Sequence, residues 1–110
     1  MYATITIERK VAGMKAQLLT LANRYSRNVP ATALQLRAIN MLLSTYCESR
    51  EERLLLLGHL FDRPLTSSKE LSKSEASAFI ELAFDDHKRW TISARFIHFL
   101  TEQKAEMYAF

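Results

Sequence analysis

Three times in this chain a hydroxyl residue stands three positions ahead of a Glu or Gln and directly before an apolar helical pattern: Thr32 with Gln35, Ser49 with Glu52, and Ser72 with Glu75. In this arrangement the hydroxyl accepts the N–H of the third helical residue. The longer side chain can reach back to the N–H of the capping residue, so each pair marks a helix start. Only two glycines and two prolines interrupt the 110 residues, and 48% of the residues are hydrophobic. That composition suits a packed helical domain and neither a sandwich nor a disordered tail. The expected fold is all-α, one domain, a compact bundle of about five helices.

In the first helix Ile7, Val11, Met14, Leu18, Leu21 and Tyr25 alternate spacings of four and three, a heptad seam that packs one stripe on neighbouring helices. It is predicted from Thr6 to about Ser26. Residues 1–7 also alternate like a short strand, but a lone strand has nothing to pair with. Asn28-Val29-Pro30 ends the helix, because a residue before proline is pushed out of the α region.

The second helix begins near Thr32 and buries Leu36, Ile39, Leu43 and Tyr46 or Cys47. The third begins at Ser49, with Glu51 and Glu52 in the turn where the helix dipole favours anions. Leu54 to Leu57 surround this helix with apolar groups, which predicts the most enclosed position in the bundle. Gly58 hints at close approach of another backbone. Leu65 and Leu71 bracket a polar connector, with a single helical turn over 67–70. The fourth helix, Lys73 to Phe84, buries Ala76, Phe79, Ile80 and Ala83. Asp85 or Asp86 is expected to cap a last helix over about 86–108. That helix has Trp90, Ala94, Ile97 and Leu100 or Thr101 on one face and Ile92, Phe96 and Phe99 on another. Two apolar faces exceed what one packing surface needs, so Trp90, Ile92, Phe96 and Phe99 are the expected docking surface for a protein partner.

The order Thr32-x-x-Gln35, a helical stretch, Glu51-Glu52-Arg53 with leucines, Arg63-Pro64-Leu65, and Ser67-Ser-Lys-Glu-Leu-Ser-Lys-Ser-Glu-Ala-Ser77 resembles a small helical module. Such modules are appended to phage and mobile-element single-strand annealing and recombination proteins. The resemblance covers residues 31–84, flanked here by a basic N-terminal helix (6–27) and an aromatic C-terminal one (86–108). It implies an accessory, non-catalytic role near DNA.

Charge agrees with that expectation in its placement more than in its net value of +3. Up to Asn28, Arg9, Lys10, Lys15, Arg24 and Arg27 face Glu8 alone, and Arg9, Lys10, Arg24 and Arg27 fall in one sector opposite the apolar seam. These four, joined by Lys69, Lys73, Lys88 and Arg89 where the fold gathers them, are the candidate nucleic-acid contacts. They would be phosphate contacts, salt-sensitive and without base information. DNA is favoured over RNA. A solvated basic face is the plain alternative, since exposed Lys and Arg need no special cause. Helices two and three also allow a helix-turn-helix, but the third is too leucine-rich for a recognition helix.

No catalytic, metal or cofactor site is expected. His59, His87 and His98 are dispersed, and the acidic pair at Asp85-Asp86 is explained by capping. Cys47 sits on an apolar face as a packed thiol, and no Gly-rich phosphate loop is present. No apolar run approaches the roughly 20 residues of a membrane span, and the single cysteine and the lack of a signal-like segment point to the cytoplasm. Two other expectations stand beside the leading one. The first is a pure protein-interaction factor, such as a phage-type regulator or an accessory subunit of a nucleoprotein complex. The second is self-association through the heptad seam or the aromatic helix.

Overall fold

All three predicted helix starts are occupied by their caps. The computed structural model describes residues 2–23, 29–84 and 92–109, with side chains of the first helix described from Gly13 onward. Within them lie α1 (Tyr2–Asn23), α2 (Ala33–Ser44), α3 (Arg50–Leu60), a 3-10 turn (Ser68–Glu70), α4 (Lys73–Ala83) and α5 (Ala94–Met107). The protein is an all-α bundle.

Thr32 and Ser72 form complete capping boxes with Gln35 and Glu75. Ser49 accepts from the Glu52 N–H, but the Glu52 carboxylate is drawn toward α5 and meets the Glu48 N–H at only 3.4 Å. The α2 and α4 starts lie side by side. An antiparallel bridge pairs Pro30 with Ser72, with Lys73 N–H donating to the Val29 carbonyl at 2.7 Å and Ala31 N–H to the Leu71 carbonyl at 3.1 Å. A side-chain bond from Gln35 Nε2 to Ser77 Oγ at 3.0 Å extends that junction along the two helices.

The core is one continuous apolar cluster. Met14, Leu18 and Ala22 of α1 and Ala76, Phe79 and Ala83 of α4 all belong to it, α1 and α4 being the most extensive helix pair among the described residues, and α2 lies against α4 as well. α5 reaches α1, α3 and α4. The seam expected on α1 is present at Met14, Leu18 and the half-buried Leu21; Ile7 and Val11 lie outside the described side chains, and Tyr25 outside the described residues.

Three features differ from expectation. α1 begins at Tyr2, so the alternating segment is helical, as a strand without a partner should be. α3 is not enclosed on every side: Leu56, Leu57 and Leu60 are buried, while Leu55 stands 58% exposed. Four consecutive leucines must spread round the whole wheel, but the bundle covers only one side of it. Finally, α5 starts at Ala94. Phe84 is extended (φ −102°, ψ 143°) and bridged to Ile92, and Ser93 N–H donates to the Ala83 carbonyl at 2.7 Å, so the chain at 92–93 is spent on pairing rather than on helix. The expected caps, Asp85 and Asp86, lie outside the described residues.

The end of α3 explains Gly58. Asp62 takes a left-handed conformation (φ 54°), the chain folds back, and Arg63 N–H donates to the Gly58 carbonyl at 3.0 Å. A Cβ built on Gly58 would lie 2.8 Å from the Arg63 carbonyl oxygen, a backbone atom with little room to yield. Gly58→Ala is therefore expected to destabilise the chain by about 1–3 kcal/mol despite alanine's better helix propensity. Urea denaturation checks this, and a stabilised variant would show that the close approach is not tight.

Candidate functional site

The connector that carries Lys69 is organised by one buried acid. Glu75, 7% exposed, accepts the Ser72 N–H through Oε1 at 2.9 Å while both its oxygens bind the Arg63 guanidinium. Arg63 Nη2 also donates to the Glu70 carbonyl at 2.8 Å, and Glu70 in turn receives the Thr66 hydroxyl at 2.6 Å and the Thr66 N–H at 3.1 Å. Burial works against ionisation of the Glu75 carboxyl. Arg63 and the Ser72 N–H outweigh it, and the carboxyl is held below the ordinary glutamate value. A second network joins α3 to α5: Lys104 Nζ lies 2.7 Å from Glu52 Oε1 and donates to the Tyr46 carbonyl at 2.9 Å, and the Tyr108 hydroxyl donates to Glu52 Oε2 at 2.9 Å. The Lys104 and Tyr108 bonds hold the Glu52 carboxyl below its usual range. A third pair, Lys15 to Asp62 at 3.0 Å, fastens α1 to the end of α3 and uses one of the basic residues of the N-terminal segment.

Of the expected nucleic-acid contacts, Lys69 and Lys73 are exposed, separated in sequence by the buried Leu71 and Ser72. Arg9 and Lys10 lie on the backbone of α1 with side chains outside the description, and Arg24, Arg27, Lys88 and Arg89 lie outside the described residues. Sequence reasoning passed over Arg37, Arg50, Arg53 and Arg95. Arg37, Arg50 and Arg95 are exposed and Arg53 is half-buried. Together with Lys69 and Lys73 they have no carboxylate within 4.0 Å among the described residues. Arg50, Arg53 and Leu54 follow the i, i+3, i+4 rule of one helix face, which was the available signal.

The expected docking face of the last helix requires correction. Phe96 and Phe99 are both 0% exposed. Phe79 and Phe96 meet edge to face with centroids 5.1 Å apart, and Phe96 and Phe99 lie 5.5 Å apart, so these rings fill the core of the single chain. Ile92 is half-buried against the same core, and Trp90 lies outside the described residues. The surplus of apolar groups is absorbed because α5 contacts three other helices. Among the described residues the large apolar side chains left outside are Leu34 (77% exposed) and Met41 (64%) on α2, Leu55 on α3, Val29 and Tyr108.

Two concavities lie beside α3. An open one of about 460 Å³ is lined by Leu54, Leu55, Gly58, His59, Asp62, Arg63, Pro64 and Leu65. A smaller one of about 120 Å³ lies between Asn40, Arg50, Arg53, Leu54 and Ser68. Cys47 is buried, and burial followed by the nearby Glu52 charge pushes its thiol up, away from the reactive thiolate. His98 is exposed and His87 lies outside the described residues. Among the described residues no three His, Cys, Asp or Glu side chains converge on one point, and no helix is long and apolar enough to cross a membrane. No protein-family model, curated protein or solved structure matches the chain.

The Arg63–Glu75 pair predicts an acid-sensitive fold. A carboxyl whose value is lower in the folded than in the unfolded chain contributes stability that is complete above the ordinary glutamate value and lost as the pH falls through the folded one. Glu75→Gln should cost about 1–3 kcal/mol at neutral pH, as expected for losing a charged partner in a largely buried hydrogen-bonded pair. It should also flatten the acid limb of stability against pH. Denaturation at stepped pH checks both, and superimposed acid limbs would rule out Glu75 as their source.

Proposed function

We propose that this chain is a non-enzymatic accessory module of a nucleic-acid-processing assembly, of the recombination or phage and mobile-element kind. It grips the phosphate backbone of DNA through the basic N-terminal segment (Arg9, Lys10, Arg24, Arg27) and the exposed Lys69 and Lys73. The observation that carries this reading is that Arg37, Arg50, Arg53, Lys69, Lys73 and Arg95 have no carboxylate partner among the described residues, whereas Arg63, Lys104 and Lys15 are each bound to one. Cations that the fold does not neutralise are the groups available to phosphates. The resemblance of residues 31–84 to the module of annealing proteins supports the same reading.

A second reading, a protein-interaction factor, is favoured by the apolar stripe on α2. Leu34, Ala38 and Met41 are spaced four and three, which puts them on one face, and its two large side chains are mostly in solvent.

Fluorescence anisotropy with labelled single- and double-stranded DNA at low and moderate salt separates the two. With about six phosphates neutralised, log K should fall with log salt at a slope of roughly −4 to −5. Arg24→Glu combined with Arg27→Glu should abolish binding. Absence of binding at low salt removes the first reading and leaves the second.

A further inference from the structure

The 120 Å³ pocket at the junction of α2, α3 and the 3-10 turn is built from donors. Arg50 and Arg53 stand one turn apart on α3 with Leu54 beside them as the apolar part of the wall. Opposite, Asn40 Nδ2 donates to Ser68 Oγ at 3.3 Å, which orients both polar groups at the junction. Arg50 Nη2 donates to the Thr66 carbonyl at 3.3 Å, which ties the guanidinium to the connector and leaves most of its five N–H groups unused. The Arg53 guanidinium has no acceptor among the described residues.

No carboxylate lines the pocket. Glu52 points about 200° round the helix from Arg50 and is bound by Lys104 and Tyr108, Glu70 is bound by Thr66, and Glu51 lies exposed about 100° away. Lys69 follows Ser68 in the same turn and adds positive charge nearby. Pockets for drug-sized ligands begin near about 300 Å³, so this volume suits a single small group. Two arginines, whose planar donor pairs match the oxygens of phosphate and carboxylate groups, make that group an anion.

We propose that Arg50, Arg53, Asn40 and Ser68 form a binding site for one phosphate group, presented by the nucleic-acid backbone. The choice of phosphate and the identity of its donor rest on the function proposed above; the preference for a small anion rests on the pocket alone. The site adds a fixed anchor to the diffuse attraction of the basic segment, because a phosphate seated between two guanidiniums sets the register of the strand across α3.

The test is NMR of the full chain, observing the arginine Nε–H and asparagine amide signals while inorganic phosphate is added against chloride at matched ionic strength. An oligonucleotide titration runs in parallel. Phosphate should shift the Arg50, Arg53 and Asn40 signals saturably. Arg50→Gln with Arg53→Gln should remove those shifts and weaken oligonucleotide binding by roughly tenfold or more. Arg50→Lys with Arg53→Lys, a gentler change that keeps the charge and loses the paired donors, should fall between. Unchanged core signals in either variant show that the fold is intact. Saturable phosphate shifts without oligonucleotide binding uphold the pocket, assign it to a free phosphorylated ligand, and defeat only the nucleic-acid reading. Oligonucleotide binding without phosphate shifts overturns the pocket and leaves that reading standing.

Discussion

The Glu75 carboxylate is the point at which separate parts of this small protein are tied to one another. It caps the start of α4 through the Ser72 N–H and holds Arg63, which carries the chain out of α3 and also grips the Glu70 carbonyl. A carboxylate taken out of water needs several partners to offset its lost hydration. Supplying them brings the exit of α3, the 3-10 turn and the start of α4 together. The polar connector is thus held in place without an apolar core of its own, its apolar contacts with the main core being Leu71 and the half-buried Leu65.

That anchoring decides what the surface can offer. Ser68 and Lys69 belong to the turn, Asn40 meets Ser68, and Arg50 meets the Thr66 carbonyl, so the pocket between α2 and α3 inherits its geometry from the Glu75 network. The cations divide into two groups for the same reason. Arg63, Lys104 and Lys15 join helices through ion pairs, whereas Arg37, Arg50, Arg53, Lys69, Lys73 and Arg95 have no described carboxylate within 4.0 Å. Exposed pairs such as Lys15 with Asp62 add little stability individually, so their main effect is to decide which charges remain available.

The aromatic residues of α5 follow packing logic. A domain of this size buries a modest fraction of its surface, so large side chains on a helix that touches three others are worth more inside than on display. Phe79, Phe96 and Phe99 are fully buried and pack ring to ring in the core. Among the described residues the most exposed apolar groups, Leu34, Met41 and Leu55, sit on the outer sides of α2 and α3.

Helix starts at Thr32, Ser49 and Ser72, the single turn after Ser67, the close approach at Gly58 and the burial of Cys47 were legible in the sequence. Each is set by chemistry within a few residues: a hydroxyl near an N–H, a missing Cβ, an apolar spacing. The start of α5 was not, because the Ser93 amide is captured by the Ala83 carbonyl across an intervening segment. Nor was the fate of Phe96 and Phe99, since periodicity states which residues share a face but not how many neighbours that face will meet. Charge behaved likewise. Sequence alone could count the arginines and lysines, but long-range pairing chose which were neutralised, and tertiary contact between α2, α3 and the 3-10 turn made Arg50 and Arg53 into one site. Local hydrogen bonds and side-chain spacing determined the elements; only distances between residues remote along the chain decided what was buried, paired or left open to a ligand.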